Sequence, residues 1–204
     1  MKKFGLVVIG AHSGIWLAPL FEEYKNQNIL LVEPVPYNIE LLKDNTSKFD
    51  NITIETSAIS NVVETQKFYF VKPESVKNLG KHWASGIGSF NKQHILDHRN
   101  KRFSVTESDI EEIDIQYLTF LDLIKKYSIL SIDTLQIDVE GAEYQILNSI
   151  DFAKTPIQKI IFEFKHIDGT FKEGPKLKSI KEKLINYGYF LTEIDNENIL
   201  AEKK

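Results

Sequence analysis

FGLVVIGAHSG, residues 4–14, is the stretch that decides the predicted fold. Its first six residues form an apolar run of strand length, and a turn flanked by Gly10 and Gly14 follows at once. A helical pattern then covers residues 13–25, in which Pro19 predicts a kink or a late start. A tight strand-to-helix turn needs residues without bulk where a ligand approaches the backbone, and the start of the helix offers free N–H groups. The glycine spacing alone is equally compatible with a turn that binds nothing.

Downstream, short apolar runs alternate with helical patterns, which favours a mostly parallel sheet with helices on both faces. Further strands are predicted at residues 29–33, 52–56, 67–71, 134–139 and 159–164. Further helices are predicted at residues 36–45, 120–127, 141–150 and 176–187. Two last strands, 189–194 and 199–202, flank a polar turn and predict a closing hairpin with one antiparallel strand. The pattern is that of a doubly wound α/β protein.

The composition bounds the class of protein. The 204 residues, 42% hydrophobic and 26% charged, are enough for a single soluble domain over residues 1–204. A net charge of −4 provides no basic surface for nucleic acid, and the apolar run at residues 4–9 is too short to cross a membrane. The absence of cysteine excludes a disulfide scaffold, a thiolate zinc site and a cysteine nucleophile. We therefore expect a cytoplasmic protein with neither nucleic acid nor a membrane among its partners.

The middle of the chain breaks the alternation. Residues 72–102 contain turn residues and histidines with little periodicity, which predicts an irregular lid or substrate-side insertion, and a short strand is predicted at 102–106. His94 and His98 are four residues apart and would share a helix face. A polar helix face is favoured over a metal site because no H-E-x-x-H motif accompanies them. The predicted substrate contacts of this segment are His82, Trp83 and Ser89.

Acidic and small residues end the second and third predicted strands, beside the glycine turn. Glu33, followed by Pro34, is placed to accept hydrogen bonds from a ribose diol, and Ser57 and Ala58 offer small side chains to an adenine ring. Ligands bind outside the carboxyl ends of a parallel sheet, so the three strand ends predict one pocket. The predicted cofactor contacts are Gly10, Ala11, His12, Gly14, Glu33, Pro34, Ser57, Ala58 and Asp138. S-Adenosylmethionine is favoured over NAD because the third glycine of a G-x-G-x-x-G motif is missing and the final hairpin is unlike a dinucleotide fold.

Acidic residues also end the fourth and fifth predicted strands, beside this cofactor. S-Adenosylmethionine carries a reactive methyl group on its sulfonium, and the transfer of that group needs two aligned reactants and, for a protonated nucleophile, a base. Asp138 is the first candidate for that base, because a charge that ends a buried run commonly has a partner or a purpose. The predicted catalytic residues are Asp138, Glu140, Glu163 and His166. A divalent metal held by Asp138 and Glu163 is an alternative use of the cluster, and Glu143 is interpreted as stabilising a helix N-terminus.

These motifs resemble those of the FkbM family of methyltransferases over most of the chain. GAHSG at residues 10–14 is similar to the family's G-A-N-x-G loop, and EPVP at residues 33–36 to its E-P-x-P segment. LQIDVEGAE at residues 135–143 resembles its most specific motif, L-K-I-D-x-E-G-x-E. The resemblance implies a class I, Rossmann-like methyltransferase fold with a seven-stranded sheet, and methyl transfer from S-adenosylmethionine, usually to oxygen on a sugar or natural product. Val8 stands where the family usually has an acidic residue and His12 where it has asparagine, both beside the expected methionine part of the cofactor.

Two hypotheses of function remain open at this point. The first is an S-adenosylmethionine-dependent O-methyltransferase that acts on a small hydroxylated acceptor. The second is a non-catalytic binding module with the same fold, which Val8 and His12 motivate. The acidic residues at the ends of the fourth and fifth strands favour the enzyme, since a domain that has lost catalysis has little need of them. An NAD-dependent oxidoreductase is a more distant third alternative.

Overall fold

The structure is a computed structural model, which describes residues 1–80, 82–97, 104–139, 141–169 and 172–203, with the backbone alone at 82 and 83. The strands are β1 (Lys2–Ile9), β2 (Asn28–Val32), β3 (Ile52–Glu55), β4 (Ala58–Ser60), β5 (Thr65–Val71), β6 (Gly88–Ser89), β7 (Ile110–Thr119), β8 (Ile129–Ile137), β9 (Ile157–Glu163), β10 (Tyr189–Glu193) and β11 (Asn198–Lys203). The helices are α1 (Ala18–Glu23), α2 (Pro36–Thr46), α3 (Pro73–Leu79), α4 (Lys92–Asp97), α5 (Phe120–Lys126), α6 (Glu143–Ser149) and α7 (Pro175–Asn186). Short 3₁₀ helices cover Ile15–Leu17, His82–Gly86 and Glu107–Asp109.

The main sheet has the strand order β10-β11-β9-β8-β1-β2-β3. The five strands from β9 to β3 pair in parallel, while β11 pairs antiparallel with both β9 and β10. In the central strand, Ile9 is the register partner of both Val32 and Ile137. The carboxyl ends of β1, β2 and β8 therefore meet at one edge. The predicted seven-stranded, mostly parallel sheet with its antiparallel closing hairpin is confirmed.

The central strand β1 is buried on both faces, as its continuous apolar run predicts for a parallel strand. Val7 and Ile9 face a large core cluster with residues of α5, α6 and α7. Leu6 and Val8 face a second cluster, to which Phe21 of α1 and Leu42 of α2 belong. Helices thus cover the two faces of the sheet. Each buried Val, Leu or Ile side chain contributes roughly 1.5–3 kcal/mol through the hydrophobic effect.

The first helix starts late, as the proline in its sequence predicts. Residues 15–17 form a 3₁₀ turn, and α1 begins only at Ala18, with Pro19 in its first turn. Proline is tolerated there because the first N–H groups of a helix have no intrahelical partner. Among the described residues, no helix combines the length and the apolar character that crossing a membrane requires.

A second, four-stranded sheet has the order β4-β7-β5-β6 and was not predicted beyond β5. The long strand β7 pairs parallel with β4 and antiparallel with β5. The short strand predicted at 102–106 is wrong for its described residues, 104–106. Thr106 instead caps a 3₁₀ turn: its N–H and hydroxyl both donate to Asp109 Oδ2, at 2.9 and 2.7 Å. The cap delays the strand to Ile110.

The segment 72–102 contains more regular structure than its sequence predicts. Its described part holds α3, the 3₁₀ helix His82–Gly86, β6 and α4. These elements pack around buried Ala84, Ile87 and Ile95, in one cluster with Val71 of β5. Each element is too short to establish a hydrophobic period, which is why the pattern looks irregular. The segment extends the second sheet and lies over the edge where β1, β2 and β8 end, as the contacts below show.

Candidate active site

A cleft of about 530 Å³, open to solvent, lies between the ends of the main-sheet strands and the second sheet. Gly10, Glu33 and Asp138, which directly follow β1, β2 and β8, line one side. The other side comes from the second sheet and the turn before it, including Gly86 and Phe90. Open α/β sheets bind ligands at this position, outside the carboxyl ends of their strands.

Both glycines of the turn have a positive φ, and at Gly10 a Cβ would in addition clash with the protein backbone. Gly10 has a φ of +88°, and a Cβ there would lie 1.7 Å from the carbonyl oxygen of Asp138. Gly14 has a φ of +73°, and a Cβ there would lie 2.6 Å from Leu42 Cδ1. Of these two, only Gly10 lines the cleft, and the predicted contact Ala11 is buried in the apolar cluster beside α1. The glycine at position 10 is thus required by the approach of the Asp138 backbone after β8.

Glu33 is fixed at the end of β2 by hydrogen bonds to both of its carboxylate oxygens. The N–H of His12 donates to Oε2 at 2.9 Å, and the N–H of Val35 donates to Oε1 at 2.9 Å. The Asn38 amide also donates to Oε1, at 3.3 Å. The side chain is only 4% exposed, and this burial raises its pKa to about 7 against the lowering effect of the three donors. Glu33 and the following Pro34 line the cleft as one rigid corner.

The two departures from the family motif lie away from the cleft. Val8 is fully buried in the cluster between the sheet and α1, so its side chain does not line the cleft. His12 has a φ of +50°, and its Nε2 lies 2.6 Å from Ser85 Oγ. The backbone N–H of His12 donates to Glu33. The sequence places His12 among the cofactor contacts, whereas its imidazole faces the 3₁₀ turn of the second sheet.

Of the predicted adenine contacts, Ala58 lines the cleft together with Ile59, and Ser57 does not. The N–H of Ser57 donates to Glu55 Oε1 at 3.0 Å. Phe90 lines the cleft next to this corner: its ring packs edge-on against Tyr117, which is the strand partner of Ala58. Phe90 was missed because this proximity depends on the pairing of β7 with β4, for which no local pattern exists.

The carboxyl groups of Asp138, Glu143 and Glu163 lie together. One carboxylate oxygen of each is within 4.8 Å of the other two. Glu143 is fully buried and accepts the N–H groups of Val139 at 2.9 Å and Gly141 at 3.0 Å. Burial raises its pKa to about 8, and the charges of Glu163 and Asp138 add to the increase. Glu143 lies in the first turn of α6 as predicted, and in addition its side chain holds the loop that follows β8.

The cluster already contains a positive charge. Lys165 Nζ lies 2.7 Å from Glu163 Oε1 and 3.3 Å from Glu197 Oε2. Because Glu143 uses both oxygens on loop N–H groups and Lys165 neutralises Glu163, a divalent cation would have to displace an ammonium already in place. The alternative of a divalent metal at Asp138 and Glu163 therefore fits these residues poorly.

Two histidines pack beside this cluster. The rings of His94 on α4 and His166 after β9 meet edge to face, with centroids 5.6 Å apart. A Cβ at Gly141 would lie 3.5 Å from His94 Cε1, so the His94 ring lies on the loop between Asp138 and Glu143. The polar helix face expected for His94 is therefore wrong. No sequence spacing links His94 to His166, because they meet only through the packing of α4.

The remaining predicted residues divide into those placed and those outside the described structure. Ser89 lines the cleft, and its hydroxyl accepts the N–H of Asn91 at 3.1 Å. Glu140 and His98 lie outside the described residues, as do the side chains of His82 and Trp83.

The fold and the cleft define a class I methyltransferase. A putative caffeoyl-CoA O-methyltransferase from Staphylococcus aureus shares this fold, at 11% identity and a TM-score of 0.51, with 100% of this chain and 76% of that chain covered. Precorrin-6y C5,15-methyltransferase from Geobacter metallireducens GS-15 is similar at 16% identity and a TM-score of 0.49, covering 100% and 82%. No curated protein matches the sequence. The methyltransferase FkbM domain matches residues 9–191, and the chain belongs to this family.

Proposed function

We propose that this protein is an S-adenosylmethionine-dependent O-methyltransferase with a small hydroxylated acceptor, such as a sugar or natural product. The observation that carries the proposal is the position of Glu33 and Asp138. Among the described residues that line the cleft, these two carry the charged groups, and each directly follows a main-sheet strand. When bound, S-adenosylmethionine supplies a methyl group activated by its sulfonium. Its ribose hydroxyls and its cationic centre both suit carboxylates.

The residues of the cleft fit the three parts of this cofactor. Glu33 is held in place by protein donors and accepts further hydrogen bonds from a ribose. Ala58, Ile59 and Phe90 offer an apolar corner of the kind that binds a purine ring. Asp138 lies beside Gly10, at the end of β8. These contacts support the proposed cofactor.

Asp138 is the proposed base that takes the proton of the acceptor hydroxyl. It lines the cleft and is exposed, so it is accessible to an acceptor. Glu163 and His166 belong to the adjoining cluster, and the ion pair of Glu163 with Lys165 fixes the end of β9. A positioned base contributes roughly 10²- to 10⁴-fold to such a step. The alignment of the acceptor with the sulfonium supplies the other part of the rate.

Calorimetry with S-adenosylhomocysteine tests the cofactor assignment. We expect saturable binding by the wild type, with or without added Mg²⁺. Glu33→Gln should weaken it by about tenfold or more, because a hydrogen bond to a charged group is worth about 1.5–3 kcal/mol. Lys159→Gln is the control. Lys159 lies on β9, on the other side of β8 from the strands that lead to Gly10 and Glu33, and this variant should bind like the wild type. A folded wild type that binds neither S-adenosylmethionine nor S-adenosylhomocysteine would contradict the proposal.

Asp138→Asn separates the enzyme from a non-catalytic module of the same fold. The buried Val8, where the family usually has an acid, is the observation that favours the module. With a panel of hydroxylated acceptors, the wild type should release S-adenosylhomocysteine, and Asp138→Asn should lose about 10²-fold or more of that turnover while it still binds the cofactor. Binding without turnover on any acceptor supports the module, and unchanged turnover removes Asp138 from the mechanism.

A further inference from the structure

His12 occupies a backbone conformation that needs support. Its φ of +50° is in the left-handed region, which is uncommon for a residue with a side chain. Such conformations persist where the surrounding structure holds them, and they concentrate at functional sites. The residue before the second glycine of the turn, Ser13, is buried, so the loop has little freedom to relax. The contacts of His12 therefore indicate which function requires this backbone conformation.

A closed ring of hydrogen bonds passes through His12. The His12 N–H donates to Glu33 Oε2 at 2.9 Å, and His12 Nε2 pairs with Ser85 Oγ at 2.6 Å. The carbonyl oxygen of Ser85 accepts the Asn38 amide at 3.0 Å, and the same amide donates to Glu33 Oε1 at 3.3 Å. The hydroxyl of Tyr37 also donates to the Ser85 carbonyl, at 3.3 Å. Ser85 is thus held from both its side chain and its backbone.

This ring joins the two sides of the cleft. Glu33 lines the main-sheet side, and Gly86, the neighbour of Ser85, lines the other side. The nearest described atom to a Cβ at Gly86 is His12 Cδ2, at 4.0 Å, so the imidazole packs directly beneath this wall. His12, Asn38 and Ser85 do not line the cleft, and the bond of His12 to Ser85 is the tie made by the Ser85 side chain. Loss of this bond leaves the residues that line the cleft present and removes one of the ties that hold the wall against Glu33.

We propose that His12 is a positioning residue, whose bond to Ser85 fixes the wall at residues 86–90 against Glu33 and thereby sets the affinity for the cofactor. The inference rests on the proposed function, since it concerns the same cleft. It assigns the imidazole no contact with the ligand. It also explains why the departure from the family's asparagine is compatible with a working site: the longer side chain reaches Ser85 in the 3₁₀ helix before β6.

Two substitutions of His12 separate the bond from the backbone conformation. His12→Gln places an amide nitrogen at about the reach of Nε2 and keeps the bond, whereas His12→Asn suits the left-handed backbone better but is too short to reach Ser85. With S-adenosylhomocysteine as the probe, we expect His12→Gln to bind within about twofold of the wild type. His12→Asn and Ser85→Ala should each bind about five- to tenfold more weakly, as the loss of one partly buried hydrogen bond predicts. Ser85→Thr keeps the hydroxyl and is the matched control.

The stability of each variant, from urea unfolding, provides the second readout. His12→Asn should be at least as stable as His12→Gln, so the order of stability and the order of affinity should be opposite. The double variant His12→Asn/Ser85→Ala should bind no more weakly than either single variant, because both remove the same bond. Affinity that follows stability, additive losses, or unchanged binding in Ser85→Ala would each overturn the inference. A wild type that does not bind the probe would instead overturn the proposed function.

Discussion

At the scale of single residues, Gly10 is the position with the least tolerance. A Cβ there would lie 1.7 Å from the Asp138 carbonyl oxygen, and this oxygen belongs to the backbone at the end of β8. We expect Gly10→Ala to lower the free energy of unfolding by about 4 kcal/mol or more, or to prevent folding, because β1 and β8 must separate. Urea unfolding followed by circular dichroism measures the loss.

Gly80→Ala is the matched control for this prediction. Gly80 also has a positive φ, of +63°, but nothing lies within 4 Å of a Cβ there. The substitution introduces conformational strain without a clash and should cost about 1–2 kcal/mol. Equal losses in the two variants would mean that strain alone, and not the approach of β8, requires glycine at position 10.

The sequence identified the turn at residue scale but not the reason for its glycines. The pattern G-A-H-S-G suggested that a ligand must approach the backbone of this turn closely. The atoms that would lie closest to a Cβ at Gly10 and at Gly14 instead belong to Asp138 and Leu42. These partners are far away in the chain, so local pattern could not reveal them. The bond of His12 to Ser85 was hidden for the same reason, since the two residues are 73 positions apart.

At the scale of elements, the main sheet was predictable and the second sheet was not. In the main sheet, β1 and β2 carry continuous apolar runs, and the helices between the strands favour parallel neighbours. In β7, Ile113, Ile115 and Tyr117 do alternate with polar residues, so its period of two was present in the sequence. Two other strands of this sheet, β4 and β6, have three and two residues, too few to show a period. The sequence therefore predicted a lid or substrate-side insertion at residues 72–102, with Ser89 in it, but not the sheet to which this wall belongs.

The start of α6 makes stability depend on pH. Glu143 has its pKa raised by burial to about 8 in the folded protein, against an ordinary value of 4.5. Between these two values the unfolded chain ionises first and binds fewer protons than the folded chain. The free energy of unfolding contributed by Glu143 is therefore fully present below about pH 4.5 and is lost as the pH rises towards 8, by at most about 1.4 kcal/mol per pH unit. Glu33, with a pKa of about 7, acts in the same direction.

Urea unfolding of Glu143→Gln at pH 5.5, 7 and 8.5 tests whether Glu143 causes this pH dependence of stability. The variant lacks this carboxyl group, so its unfolding free energy should fall less steeply with pH than that of the wild type, most clearly between pH 5.5 and 7. It should also be less stable at pH 5.5, because an amide oxygen can satisfy only one of the N–H groups of Val139 and Gly141. Glu22→Gln, at an exposed position on α1, removes a surface charge and serves as control. A wild-type slope retained in Glu143→Gln would assign the pH dependence to other groups.

At the scale of the whole molecule, two sheets line the cleft, and in the chain the strands of the second sheet lie between β3 and β8 of the main sheet. The main sheet contributes Glu33 and Asp138, and the strands inserted between β3 and β8 contribute the opposite side. Neither sheet encloses the ligand alone. The ring through His12, Ser85 and Asn38 ties Glu33 to the segment that carries Gly86, so cofactor binding should stabilise both sides of the cleft together.

Hydrogen exchange with and without S-adenosylhomocysteine tests this coupling. At a ligand concentration one hundred times Kd, binding adds about 2.7 kcal/mol, which for a chain of this size raises the Tm by about 5–10 °C. In the folded state, the extra protection should appear on both sides of the cleft, at residues 33–38 and 84–90, because each segment loses the local opening that exposes its N–H groups. The hairpin of β10 and β11, at the far edge of the main sheet, should gain protection only through global stability. Protection confined to residues 33–38 would show that the second sheet does not close on the ligand, and the wall at residues 86–90 would then have to be assigned to the acceptor alone.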